Sequence, residues 1–116
     1  LTVNDGDFLY AQGDENSDLF FINRGQVALL KKESDGQKSR VRTLGPWSIT
    51  GELGSFLGYH SSYDAVVMKE GVVYKLSAAE RAKLELEDPL LTADLHKLVI
   101  QMLGEQLLKT SRIADA

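Results

Sequence analysis

A chain of 116 residues with 43% hydrophobic content can bury one core, so a single domain over residues 1-116 is expected. The formal charge of −4, without a Lys/Arg-rich run, lacks the electrostatic footprint of a nucleic-acid binder. The absence of cysteine excludes disulfides, thiol catalysis and thiolate zinc sites. Turn signals then recur at strand-length intervals: Asp5-Gly6-Asp7, Gly13 to Ser17, Asn23-Arg24-Gly25, Ser34-Asp35-Gly36 and Gly45-Pro46. Between them lie short apolar runs, Phe8 to Tyr10, Leu19 to Ile22, Gln26 to Leu30, Val41 to Leu44, Tyr63 to Met68 and Val72 to Leu76. Such spacing predicts a small antiparallel barrel or roll over about 1-76, with Ser34-Asp35-Gly36 at a hairpin tip.

After Leu76 the period changes. Ser77 with Glu80 three residues on has capping-box spacing, and a helix is expected to about Glu87. Asp88-Pro89 then starts a second helix, Asp as cap and Pro at the first helical position. Leu91, Leu95, Leu98 and Met102, with Val99, Leu103 and Leu107 one step around, form a broad apolar stripe. This helix is expected to run to about Ser111, roughly 35 Å at 1.5 Å per residue. Its apolar stripe is expected to dock on the roll, to move on ligand binding, or to self-associate near Leu103 to Ile113.

No apolar run approaches the roughly 20 residues of a membrane span, and no signal-peptide pattern opens the chain, which reads as a soluble domain. A start at Leu1, without Met and inside an extended-looking segment, reads as a fragment of a longer protein.

The chemistry concentrates in "TGELGSFLGYHSSYDAVV", residues 50 to 67. A strand ending near Thr50, a permissive Gly51 and a helical turn from Glu52 to about Leu57 would aim free N–H groups at one point, where a phosphate fits. The same residues also suit a plain tight turn followed by a favourable N-terminal helix charge. Enzymatic patterns are weak. Ser61, His60 and Asp64 lie within five residues and lack a nucleophile-elbow setting, so no catalytic residue is expected. His60 and His96 fall in different elements without a metal-site carboxylate spacing, so no metal is expected. Glu15 with Asp18, and Glu85 with Glu87 and Asp88, read as solvated charge.

In order and spacing, Asp5-Gly6-Asp7, Gln12-Gly13-Asp14, Asp18 to Ile22, Gly25-Gln26-Val27, Leu44-Gly45-Pro46 and Gly51-Glu52-Leu53 resemble the cyclic-nucleotide-binding domain family. That resemblance implies a mainly β fold with flanking α, an antiparallel eight-stranded β-roll (jelly-roll-like) followed by C-terminal helices over about 77-112. It also implies a phosphate cassette in which Glu52 takes the ribose 2′-hydroxyl, N–H groups around Gly51 and Leu53 cradle the phosphate, and the C-terminal helix closes over the base. An Arg-Ser/Thr-Ala segment should follow, and here the chain departs. Placed without gaps, Ser61 stands at the Arg position, Ser62 beside it, Tyr63 at the small residue and Asp64 at the Thr. Loss of a charge-assisted Arg bond, worth about 1.5–3 kcal/mol, predicts roughly 10- to 100-fold weaker binding. Asp64, at about 6 Å from a phosphate with an effective dielectric near 20, would add roughly 3 kcal/mol of repulsion before screening. Tyr63 would take pocket volume, and Trp47 replaces a small turn residue.

"GPWSITGELGSFLG", "VVYKLS" and "LELEDPLLTADLHKLVIQMLGEQLL" further resemble the cyclic-nucleotide-binding-like domains of sulfate-permease-type anion transporters. This implies a cytoplasmic regulatory module whose partners are the rest of a membrane transporter and its regulatory domain. Three readings follow: a non-catalytic module with a degenerate cassette and an absent or altered ligand; a working cAMP or cGMP sensor in which Arg40, Arg42 or Lys69 replaces the missing charge; and a structural or dimerising domain. The first is the preferred expectation, with no cofactor.

Overall fold

The computed structural model describes the backbone of residues 1–115 and the side chains of residues 1–109. Six strands and three helices follow in order: β1 (Thr2–Val3), β2 (Phe8–Tyr10), β3 (Leu19–Lys32), β4 (Lys38–Leu44), β5 (Ile49–Thr50), α1 (Glu52–Leu57), β6 (Asp64–Leu76), α2 (Ala78–Glu87) and α3 (Pro89–Asp115). Two compact units result, Leu1–Ala78 and Ala79–Ala116.

In the first unit β3 and β6 form the spine, antiparallel from Leu19↔Leu76 to Leu30↔Asp64. Each serves different neighbours along its length. β3 pairs with β5 at Phe20 and Phe21 and with β4 from Val27 to Lys32, while β6 pairs with β1 at Gly71 and Val72 and with β2 at Ala65 and Val66. Six strands therefore replace the eight expected. The reason is local: Leu19 to Ile22 and Gln26 to Leu30 are one bent strand, as are Tyr63 to Met68 and Val72 to Leu76, apart from Tyr63 itself. The register shifts between Ile22 and Val27, opposite Val67 to Val73. Gly25 has φ 102, and a Cβ on it would sit 2.7 Å from the Lys69 carbonyl oxygen; one on Gly71 would collide with the Arg24 carbonyl. The glycines that look like loop punctuation thus let two backbones cross while the ladder continues.

The buried cluster draws on both sides of this bend. Phe20, Ile22, Val27, Leu29, Leu44, Ala65, Val67 and Val73 meet Val3 and Tyr10, and Leu9 and Tyr63 pack against them. Each fully buried Ile22, Val27, Val67 and Val73 contributes about 1.5–3 kcal/mol over leaving it in water. The hairpin at Ser34-Asp35-Gly36 forms as expected, with Gly36 N–H on Glu33 O and Gln37 N–H on Asp35 Oδ1, 3.0 and 2.9 Å. At the next turn Ser48 N–H reaches Gly45 O at 3.3 Å, and Trp47 takes φ 69 with 84% of its surface exposed. A bulky residue in that region is strained, and little packing offsets it.

In the second unit both helices begin and end close to expectation. Asp88 caps α3, its Oδ1 accepting from Leu91 N–H at 3.0 Å, and Arg81 bridges to Glu85 at 2.7 Å one turn on. Along α3, Leu95 and Val99 are buried, whereas Leu91, Leu98, Leu103 and Leu107 are exposed. The side chain of Ile113, part of the expected self-association stretch, lies outside the described residues. Among the described residues no helix is long and apolar enough to cross a membrane.

Candidate ligand-binding site

The expected junction of strand, glycine and short helix is present. Gly51 has φ 89 and a Cβ there would strike the Asp18 carbonyl oxygen, so conformation and close approach both demand glycine. Asn16 braces the same carbonyl through Nδ2 at 2.9 Å. Ser55 N–H closes the first turn of α1 on Gly51 O at 3.0 Å, and Gly58 ends the helix. Leu53 is exposed, while Glu52 is half-buried.

Glu52 opens α1, two residues after the buried Thr50 of β5. Burial pushes its carboxyl up from the ordinary range, and its own N–H and the positive charge of Arg42 offset only part of that. Beside it Tyr10 Oη and Thr50 Oγ1 lie 2.6 Å apart in a buried hydrogen bond. Burial also pushes the Tyr10 phenol up, the Thr50 bond opposes this, and charge on Glu52 and Tyr63 adds to it. Tyr10 pairs with Ala65, Ala65 with Leu29 and Leu29 with Arg42, so the sheet register brings Arg42 into the neighbourhood of the Tyr10–Thr50 bond and of Glu52, two residues beyond Thr50. Tyr63, the residue expected to take pocket volume, is half-buried and packs on the core.

Ser61 is held by its backbone. Gly13 N–H donates to Ser61 O at 2.7 Å and Ser61 N–H to Asp14 O at 2.9 Å, which ties the loop after α1 to the loop after β2. Ser62 is exposed. His60 lies on the same loop, Nδ1 3.1 Å from Gly13 O and Nε2 3.5 Å from Glu15 Oε1, so it belongs to that tie rather than to a Ser/His/Asp arrangement. Among the described residues no group of three His, Cys, Asp or Glu side chains forms a metal site.

Asp64, expected to repel a phosphate, has partners of its own. It is 4% exposed at the start of β6, with Oδ1 accepting from Gln12 N–H at 2.7 Å and Oδ2 2.6 Å from Lys38 Nζ. The Lys38 contact is an ion pair without good hydrogen-bond geometry. Desolvation raises this carboxyl, but the Gln12 N–H, Lys38 and the more distant Lys32 outweigh it and hold it below its usual range. Lys38 in turn rests over the Phe8 ring, 5.4 Å from its centre. Local charge at Asp64 is thus neutralised, which removes most of the expected repulsion.

Sequence reasoning missed Lys38 and the Tyr10–Thr50 pair. Lys38 sits in a polar hairpin arm, and a bulge between Leu29 and Leu30 breaks the alternation that would have shown which face it takes. Of the three candidate replacement cations, Arg40 and Lys69 are exposed, whereas Arg42 is half-buried.

The sequence profile of the cyclic nucleotide-binding domain family matches residues 1–86. The chain belongs to that family. Solved structures with the same fold include a cyclic nucleotide-binding domain from Methylobacillus flagellatus KT, at TM-score 0.86 and 20% identity over 93% of this chain and 61% of that one. The catabolite activator protein of Thermus thermophilus follows at 0.79 and 24%, over 98% and 54%. The c-di-GMP-responsive global regulator CLP of Xanthomonas campestris stands at 0.82 and 19%, over 99% and 56%. At these identities the likeness carries the fold alone, and the chain spans 54–61% of the length of these three proteins. No curated protein sequence matches it.

Proposed function

We propose that this domain is a non-catalytic regulatory module of the cyclic-nucleotide-binding fold whose cassette is disarmed for cyclic nucleotides. The carrying observation is at position 61, where serine stands in place of the arginine implied for the cyclic phosphate. The surroundings do not restore it: Lys38 is engaged by Asp64, and His60 leans away onto Gly13 O and Glu15. Tyr63, packed on the core, takes volume where the family cassette has a small residue. The half-buried Glu52 remains as an acceptor for ligand hydroxyls, so an altered ligand fits better than none. The resemblance of the cassette and helical tail to the domains of sulfate-permease-type anion transporters supports a regulatory role on the cytoplasmic side of such a protein.

Calorimetric titration with cAMP and cGMP tests this reading, comparing the wild type with a Ser61→Arg, Asp64→Thr double variant. The wild type should give no heat of binding at millimolar nucleotide while the variant binds. Micromolar binding by the wild type would refute it.

A further inference from the structure

We propose that the altered ligand places its anionic group on Arg42, on the core-facing side of β4, and its hydroxyls on Glu52. The ligand class is a small hydroxylated organic anion of the sugar phosphate or nucleoside monophosphate kind. This rests on the reading of a disarmed cassette with a retained Glu52.

Four observations converge on Arg42. It lies opposite Leu29 in the β3–β4 ladder and two residues before Leu44, and both neighbours belong to the buried cluster. Paired residues share a face and strand positions two apart share a face, so Arg42 is on the core side of the sheet. It is half-buried there, unlike Arg40 and Lys69. Among the described residues its side chain makes no hydrogen bond and no close ion pair, and only a longer-range attraction links it to Glu52. A guanidinium carries five donors in a planar fork and is held half-buried at a cost unless something accepts them. Lys38 is already neutralised by Asp64, so the two charges serve different ends.

Arg42 and Glu52 are therefore a cation and a carboxylate that attract without pairing. A ligand bridging them needs an acid group for the fork and hydroxyl donors for Glu52. The buried Tyr10 and Thr50 hydroxyls of the same neighbourhood are already bonded to each other. A bidentate anion contact on Arg42 would strengthen binding about 10- to 100-fold over the same ligand without it.

The test uses the domain with ribose 5-phosphate and 5′-AMP as probes, inorganic phosphate as the anion without hydroxyls, and cAMP as the competing chemistry. Binding is followed by calorimetry and by amide shifts. Wild type should bind ribose 5-phosphate or 5′-AMP more tightly than inorganic phosphate. Arg42→Gln should weaken that binding about 10-fold or more, and Arg42→Lys should retain part of it. Thermal unfolding of both variants separates lost binding from lost fold. Failure of wild type to bind any probe, while the Ser61→Arg, Asp64→Thr variant takes up cAMP, overturns this inference and leaves the proposed function standing. Micromolar cAMP binding by wild type that survives Arg42→Gln overturns both. The same cAMP binding lost in Arg42→Gln supports the role of Arg42 and overturns the disarmed cassette.

Discussion

Lys38→Met should destabilise the roll through Asp64 rather than through its own packing. The Asp64 side chain is 6% exposed and that of Lys38 45%, with 2.6 Å between Nζ and Oδ2. Breaking a fully buried pair costs about 3–5 kcal/mol, but a half-exposed lysine and the surviving Gln12 N–H bond reduce this to about 1–2 kcal/mol. For a domain of this size that is a fall in Tm of about 4–10 °C at neutral pH. The pH dependence follows from the direction of the Asp64 shift. A carboxyl held below its unfolded value of 3.8 contributes stability that is complete above that pH and is lost as pH falls through the folded value. Thermal unfolding followed by circular dichroism should therefore show a gap between wild type and Lys38→Met that is constant near neutrality and closes in acid below 3.8. Asp64→Asn in the Lys38→Met background should recover part of the loss, since it removes the unpaired charge. Equal Tm values at neutral pH, or a gap that persists unchanged in acid, would refute the reasoning.

Three further outcomes are expected. Glu52→Gln should raise Tm at neutral pH, because burial holds this carboxyl above its unfolded 4.5 and stability is lost as pH rises through the folded value; a fall in Tm would contradict this. Gly51→Ala should cost on the order of 3 kcal/mol in urea unfolding, from positive φ and the clash with the Asp18 carbonyl, and a cost under about 1 kcal/mol would show that the junction relaxes. Trp47→Gly should leave stability unchanged or raise it by about 1 kcal/mol, since relief of left-handed strain exceeds the added chain entropy. A clear loss in that variant would mean that the exposed ring packs after all.

Turn chemistry made most of the fold legible. Asp35-Gly36, Gly45-Pro46 and Asp88-Pro89 each mark an element end where the structure has one, and Glu52 to Leu57 forms the short helix expected of it. The strand number was not legible, because Asn23-Arg24-Gly25 and Gly71 have the composition of turns and act as bends within continuous strands. A single sequence carries no sign of the crossing backbone that makes glycine necessary there. Around the candidate site, the junction of β5, Gly51 and α1 was legible from local order alone. The pairing of Lys38 with Asp64 was not, since it depends on a register shift in the β3–β4 ladder and on a loop N–H from Gln12. Arg42 was one of three candidate cations in the sequence; only the ladder register distinguishes it.

Without an arginine at position 61 the cassette should not hold a cyclic phosphate. The most direct measurement is an amide-resolved titration of the wild-type domain with cAMP, following the N–H signals of Gly51, Glu52 and Leu53 to about 1 mM ligand. These signals should stay in place, and should shift in a saturable way once Ser61→Arg is introduced. Saturable shifts of the wild-type signals at micromolar cAMP would contradict this.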